Sequence, residues 1–381
     1  MFLERSRNSP LTLDISFPDD HYDPDASPVI DILSQGYHRW YDLSLSIPQG
    51  FTRPDLLFPN VRDKIVPALS CLRLMSRRVQ SNLNTIGQLF KSCPSLRTLC
   101  IEGLAIAPYV SVLPFSQITR VEFWSAHTPL VLQFLLRLPH VQKLCLNYIV
   151  RWTGGAEVKH VALPALTSLA LSAKSQADID DLSQYLITPS LETLTISSYP
   201  PWRSERLPSW PHWESSAVEN LLARSGCSIT SLSLESLPIT DAQAVTLLQL
   251  MPALTSLRIE EPDLEKAKPN RIATSTFFRH LVVDQESHRM GRPGTTFLPL
   301  LTSITFKVKA QGLPEEDFFA AVASRWVPDA ARAKVIGIEC LQSVDVTAVG
   351  SGRDPNSALK SLRCFRDAGL RLNVVCQSVT G

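Results

Sequence analysis

Pro139-His140-Val141-Gln142-Lys143-Leu144-Cys145-Leu146, Pro164-Ala165-Leu166-Thr167-Ser168-Leu169-Ala170-Leu171 and Pro189-Ser190-Leu191-Glu192-Thr193-Leu194-Thr195-Ile196 are three copies of one frame. Each runs from a proline through one apolar position to two further apolar positions separated by a single residue. The closing alternation has the period of a β-strand, because successive side chains of a strand point to opposite faces. Successive copies start 25 residues apart, at 139, 164 and 189. Working outward, the frame also begins at Pro67, Pro94, Pro252 and Pro299. Without the proline it returns at Trp40/Leu43/Leu45, Ile118/Val121/Phe123, Ile229/Leu232/Leu234 and Leu341/Val344/Val346. More than half of the intervals between neighbouring frames fall at 22 to 27 residues, the range of a leucine-rich repeat. The alternating runs Leu11/Leu13/Ile15 and Leu370/Leu372/Val374 read as terminal strands.

Helix-period segments lie between the strands. Leu83/Ile86/Phe90 and Ile179/Leu182/Leu186 follow i, i+3, i+7 spacing. Ser216 with Glu219, and Thr240 with Gln243, read as capping boxes that open helices. Proline then ends each helix, since the residue before it avoids helical angles. Strand, helix and strand at this period require parallel strands with crossover helices. One unit cannot bury its own apolar face, whereas stacked units share a core. The expected fold class is therefore α/β, an irregular leucine-rich-repeat solenoid of about 13 strands spanning 1–381 as a single body. A parallel sheet is expected on its concave face and helices on its convex face. The Asn that usually follows the strand in regular repeats is replaced by Leu104, Ile149, Lys174, Tyr199, Leu237 and Pro262, which predicts looser turns.

Composition limits the function. With 37 Lys plus Arg against 36 Asp plus Glu the net charge is +1, so neither nucleic acid nor a membrane surface is an expected partner. The most apolar stretch, 129–150, is broken by Arg137, Pro139, His140 and Lys143 and is too polar to span a bilayer. The N-terminus lacks the apolar run of a signal peptide, the eight cysteines have no C-x-x-C spacing, and there is no N-x-[ST] acceptor. A cytoplasmic or nuclear location is expected. No phosphate-binding loop, dinucleotide fingerprint, nucleophile elbow or H-E-x-x-H occurs, and the eight histidines are scattered singly. The chain is accordingly expected to be no enzyme and to hold no cofactor or metal.

Leu3-Glu4-Arg5-Ser6-Arg7-Asn8-Ser9-Pro10-Leu11-Thr12-Leu13, His38-Arg39-Trp40-Tyr41-Asp42-Leu43-Ser44-Leu45 and Asp367-Ala368-Gly369-Leu370-Arg371-Leu372 carry a resemblance to a known family. With the leucine spacing, they make nearly the whole chain similar to the leucine-rich-repeat region of F-box proteins, above all the divergent set of mushroom-forming fungi. The resemblance implies the substrate-recognition part of an SCF-type ubiquitin ligase, in which F-box helices bind Skp1 and the repeats hold the target. No F-box is found in this sequence, so no Skp1-binding residue is carried over, and Skp1 is an expected partner only if an F-box is encoded upstream. Leu313-Pro314-Glu315-Glu316-Asp317-Phe318-Phe319 mimics an F-box opening but reads better as part of the helix before the Leu341 strand.

The residues between and beside the inward slots of each strand should face solvent on the concave side and hold a protein target. Among them are Glu102, Glu235 and Lys307, with charges concentrated at Arg120, Glu122 and Lys143 and at Arg258 and Glu260. Arg73, Arg120, Glu122, Trp124, Lys143, Asn147, Arg258 and Glu260 are the candidate contact residues, and Trp124 is the sharpest, since tryptophan is a common interface anchor. Three long intervals mark insertions. That at 199–214 brings Trp202, Trp210 and Trp213 together with prolines as a stiff aromatic rim; those at 261–276 and 284–296 carry Lys266, Lys268 and Arg271, and His288, Arg289 and Arg292. Those cations define the alternative function, a sensor or enzyme for a small or phosphate-bearing ligand. A pure scaffold is the third reading.

Overall fold

The computed structural model describes residues 6–16, 27–47, 58, 60–76, 87–102, 112–150, 159–198, 213, 215–261, 271–285, 296–309, 313–350 and 362–377. The chain divides into two compact units, residues 1–173 with 177–190, and residues 174–176 with 191–381.

The first unit contains β1 (Leu11–Ile15), β2 (Trp40–Ile47), β3 (Cys71–Ser76), β4 (Thr98–Glu102), β5 (Arg120–His127), β6 (Lys143–Val150), β7 (Val161–Ala162), β8 (Ser168–Ala173) and β9 (Leu186–Ile187). Seven of these, β1 to β6 and β8, pair side by side in chain order, all parallel. β7 and β9 form a separate two-stranded parallel pair. The second unit has β10 (Thr193–Ser198), β11 (Ser231–Glu235), β12 (Ser256–Glu260), β13 (Ser303–Lys309), β14 (Ser343–Val349) and β15 (Arg371–Gln377), again parallel and in chain order. A count of thirteen long-sheet strands, with helices between them, is consistent with a leucine-rich-repeat-like fold.

Register explains why the frame recurs. Leu43, Leu72, Leu99, Val121, Leu144 and Leu169 are successive partners across the first unit. Leu194, Leu232, Leu257, Ile304, Val344 and Leu372 are partners across the second. The second inward slot forms a parallel row of its own, from Ile196 through Phe306 to Val374. In all eleven frames every apolar slot is at most 2% exposed. Each such side chain is worth about 1.5–3 kcal/mol on burial, and a slip of one residue would turn a whole row outward. Helices pack on this inward face. Phe123 of β5 meets Phe134 of the helix Thr128–Leu135 at 5.3 Å between ring centroids. Phe306 of β13 meets Phe278 of the helix Ser275–Leu281 and Phe318 of the helix Glu315–Arg325 at 5.3 and 5.8 Å.

The prolines act in a tight turn rather than as simple helix stops. The backbone N–H of Leu96 donates to Cys93, Val141 to Leu138, Leu166 to Leu163, Leu254 to Met251 and Leu301 to Leu298. Each is a four-residue turn with proline second, where its fixed φ costs nothing. It delivers the first apolar slot to the core. The turn is tied to the next frame at strand entry, where one carbonyl accepts two successive N–H groups. Thr167 and Ser168 both donate to Gln142, Thr255 and Ser256 to Thr230, and Thr302 and Ser303 to Thr255. The hydroxyls of Thr167, Thr255 and Thr302 donate to the same carbonyls at 3.2, 3.0 and 3.1 Å. These contacts pair the backbone at strand entry. Two residues after the last inward slot, Ser125, Tyr148 and Ser236 take left-handed φ of 55°, 58° and 54° at equivalent positions. Leu237, in the Asn slot, is simply buried.

Two expectations about helices need correction, and a third lies mostly outside the described residues. Leu186 lies in β9 and not in the helix Gln176–Ser183, because Tyr185 and Ile187 bond to the 161–163 backbone instead. Ser216 and Glu219 form no capping box: the N-cap is Ser215, whose side chain makes no capping bond. Of the Leu83/Ile86/Phe90 stripe, Leu83 and Ile86 lie outside the described residues, and Phe90 is buried. Thr240 does cap the helix Asp241–Gln249: its hydroxyl accepts from the Gln243 N–H at 3.2 Å, and Gln243 accepts from the Thr240 N–H at 2.9 Å. Thr240→Ala is therefore expected to cost about 1 kcal/mol in urea unfolding. Ser216→Ala should stay within about 0.5 kcal/mol; equal losses at both positions would contradict the assignment.

Candidate protein-binding surface

Residues that alternate with the inward slots form three rows on the other face of each sheet. In the first unit, one row holds Asp42, Cys71, Thr98, Arg120, Lys143 and Ser168 as successive partners. The middle row holds Ser44, Arg73, Cys100, Glu122, Cys145 and Ala170, and the third Ser46, Met75, Glu102, Trp124, Asn147 and Ser172. Register thus brings Arg73, Arg120, Glu122, Trp124, Lys143 and Asn147 onto one surface.

At its centre Glu122 accepts from the indole Nε1 of Trp124 at 2.7 Å and from Nδ2 of Asn147 at 3.0 Å, both on Oε1. Asn147 Oδ1 in turn meets the Cys145 thiol at 3.6 Å. Trp124 is half-buried rather than sealed beneath the following turn, and its ring is held by that bond. Arg73 reaches Asp42 at 3.6 Å. Arg120 and Lys143 are exposed and adjacent across β5 and β6, and neither makes an ion pair or side-chain hydrogen bond among the described residues. The same holds for the carboxylate of Glu102, next to Trp124 in register.

The corresponding face of the second unit is built differently. Arg258 contacts Glu260 at 3.2 Å and Glu235 at 3.7 Å, and Lys307 reaches the other oxygen of Glu260 at 2.5 Å. Ser233 donates to Glu235 at 2.9 Å. Arg258 and Glu260 thus belong to a network of two cations and two carboxylates that satisfies itself.

Of the insertions, Trp202 and Trp210 lie outside the described residues, and so do Lys266, Lys268, His288, Arg289 and Arg292. Trp213 is buried at 4% exposure, and its carbonyl accepts from Gln243 Nε2 at 3.0 Å, so it packs into the second unit instead of forming a rim. Arg271 is engaged by the buried carboxylate of Glu261 at 3.2 Å, and that carboxylate also accepts from the Ala273 N–H at 3.1 Å. The pair closes the base of the 261–276 insertion.

Sequence reasoning missed Arg325. Its side chain is fully buried and donates to the carbonyls of Leu281 at 2.6 Å, Leu298 at 2.9 Å and Phe297. Burial lowers its pKa to about 10, so it remains charged at neutral pH. It joins one helix end and one frame turn to the helix Glu315–Arg325. The signal was present, since Arg325 follows Phe318 and Val322 along that helix's apolar stripe.

Among the described residues no group of His, Cys, Asp or Glu could hold a metal, and no helix is long and apolar enough to cross a membrane. None of the eight cysteines is in a disulfide. No family model matches the chain, and no curated protein matches it. Among solved structures 22 chains match, one of them a structural-genomics target from Bacteroides fragilis, 13% identical with a TM-score of 0.36. That match covers 61% of this chain and 64% of the other, so the chain spans less than two thirds of that protein's length.

Two measurements check this description. Arg325→Ala leaves three carbonyls without their donor and is expected to lower the unfolding free energy by at least about 3 kcal/mol. Burial, with Glu122 second, pushes the Cys100 thiol up to about 12, and burial does the same for Cys93. Alkylation of the native protein near about pH 8 should therefore label the exposed Cys364 and Cys376 first, and Cys93 and Cys100 only after denaturation.

Proposed function

We propose that this chain is a protein-binding, leucine-rich-repeat-like module and that its target is held on the exposed face of the first unit's sheet. The observation that carries the reading is the contrast in charge pairing. On the first face Arg120, Lys143 and Glu102 have no ion-pair partner among the described residues, and the ring of Trp124 is already oriented; on the second, the charges satisfy one another. Unpaired exposed charges lose little when a complementary partner replaces water, whereas a closed network must be broken or buried whole. A pre-oriented aromatic costs little further entropy on binding. Mixed signs on an open sheet suit a protein rather than a small molecule, which is usually enclosed in a cleft.

The resemblance to fungal F-box repeat regions supports a more specific role, the recognition of substrates for ubiquitination. In that role the repeats select the target and the ligase contact comes from an F-box. Reading the gene upstream of Met1 and testing whether Skp1 co-purifies with the full product examines this directly. If no F-box is encoded and Skp1 is absent, the ligase role is discarded and the binding module stands alone.

The face itself is tested by Trp124→Ala combined with Arg120→Ala. The fold should survive, with an unchanged unfolding transition, because both side chains stand outside the core. Affinity for a partner should fall at least about tenfold. Undiminished binding by the double variant would remove this surface from consideration.

A further inference from the structure

We propose that the first unit's face takes an extended peptide segment bearing an acidic and a basic side chain four residues apart. The acid lies over Arg120 and Lys143, and the base between Glu102 and Glu122 against Trp124. The inference rests on the reading of this face as the binding surface and specifies its partner.

Opposite signs are segregated along the strand direction. Arg120 and Lys143 are register partners at the entry of β5 and β6. Glu102, the last residue of β4, and Trp124 of β5 are register partners. Arg120 and Trp124 are four residues apart on one strand, a separation of about 13 Å at the strand rise. Neither cation, nor Glu102, has an ion-pair partner among the described residues. Glu122 stands between the two ends, and its Oε1 is already shared by Trp124 and Asn147. Glu102 and Glu122 stand on neighbouring strands, on either side of the Cys100–Trp124 diagonal. A cation placed there gains from two carboxylates and from the face of an indole whose tilt is set by its bond to Glu122.

An extended segment fits this spacing without adjustment. Its residues i and i+4 point the same way and are also about 13 Å apart. Residue i+2 then falls over Glu122 of the middle row, which Cys100 and Cys145 flank. A helix would need eight or nine residues to span the distance, since it rises about 1.5 Å per residue. A segment with only one sign of charge would leave one end of the face unpaired or repelled.

The test uses the full chain and a display library of random twelve-residue peptides. Enriched peptides are expected to share an Asp or Glu four residues from a Lys or Arg. A synthetic peptide of that set should bind Glu102→Lys at least about tenfold more weakly, and changing its basic residue to Glu should restore binding to that variant. Unchanged melting of the variant shows that the fold is intact. The proposal is overturned if no peptide is enriched, if the charges lie at another spacing such as eight or nine, if one sign alone is selected, or if the exchange of charge restores nothing. Trp124→Ala with Arg120→Ala separates the two levels of failure. Weaker binding by that double variant, without rescue by charge exchange, rejects the peptide pattern alone; unchanged binding rejects the face as well.

Discussion

Burial of two alternate apolar side chains per strand, in register from one strand to the next, is the constraint on which the rest of the structure depends. A parallel strand whose inward residues are Leu144 and Leu146 can hide them only if Val121 and Phe123 stand on one side and Leu169 and Leu171 on the other. Each frame therefore needs its neighbours, and stability accumulates between frames rather than within them. Helices complete the core from the inward side and vary in length and number. The strand frame varies little, because one missing slot would open a gap in two rows at once.

The connections obey a related rule. Backbone groups at strand entry and at the turn must be paired when side chains on either side are buried. The proline turn and the doubly accepting carbonyl achieve this with backbone alone, and threonine hydroxyls add to it at Thr167, Thr255 and Thr302. Where insertions lengthen the path, charged side chains take over that pairing. Glu261 and Arg271 close one insertion, and Arg325 gathers three carbonyls beside another. These are polar residues in structural positions, and Arg271 is one of the insertion cations that the sequence offers for ligand binding.

The opposite face of the sheet is released from such demands. Its residues alternate with the buried ones, so they can change without disturbing the core. The two units use this freedom differently. The second closes its charges into a network around Arg258 and Glu260; the first pairs Arg73 with Asp42 but leaves Arg120, Lys143 and Glu102 without an ion-pair partner among the described residues. That difference directs the functional reading to the first unit.

Much of this architecture was legible in the sequence. The apolar alternation, the proline before it and the spacing near 25 residues are local patterns, and strand, turn and parallel pairing follow from them by sterics and burial. The Thr240–Gln243 cap was legible for the same reason, since its partners are three residues apart. Ser216 with Glu219 shows the limit: the same letters form no cap because the helix starts from Ser215. Which alternate residues share a face was readable from the strand period, but who meets whom across strands was not. Asn147 reaches Glu122 from 25 residues away, Lys307 reaches Glu260 from 47, and Arg325 finds carbonyls 27 to 44 residues distant. Those contacts depend on register and on the length of each connection. The sequence by itself determined the repeating strand and its buried side; only the tertiary structure decided which charges on the other face pair with one another, because pairing is set by distances that no local pattern encodes.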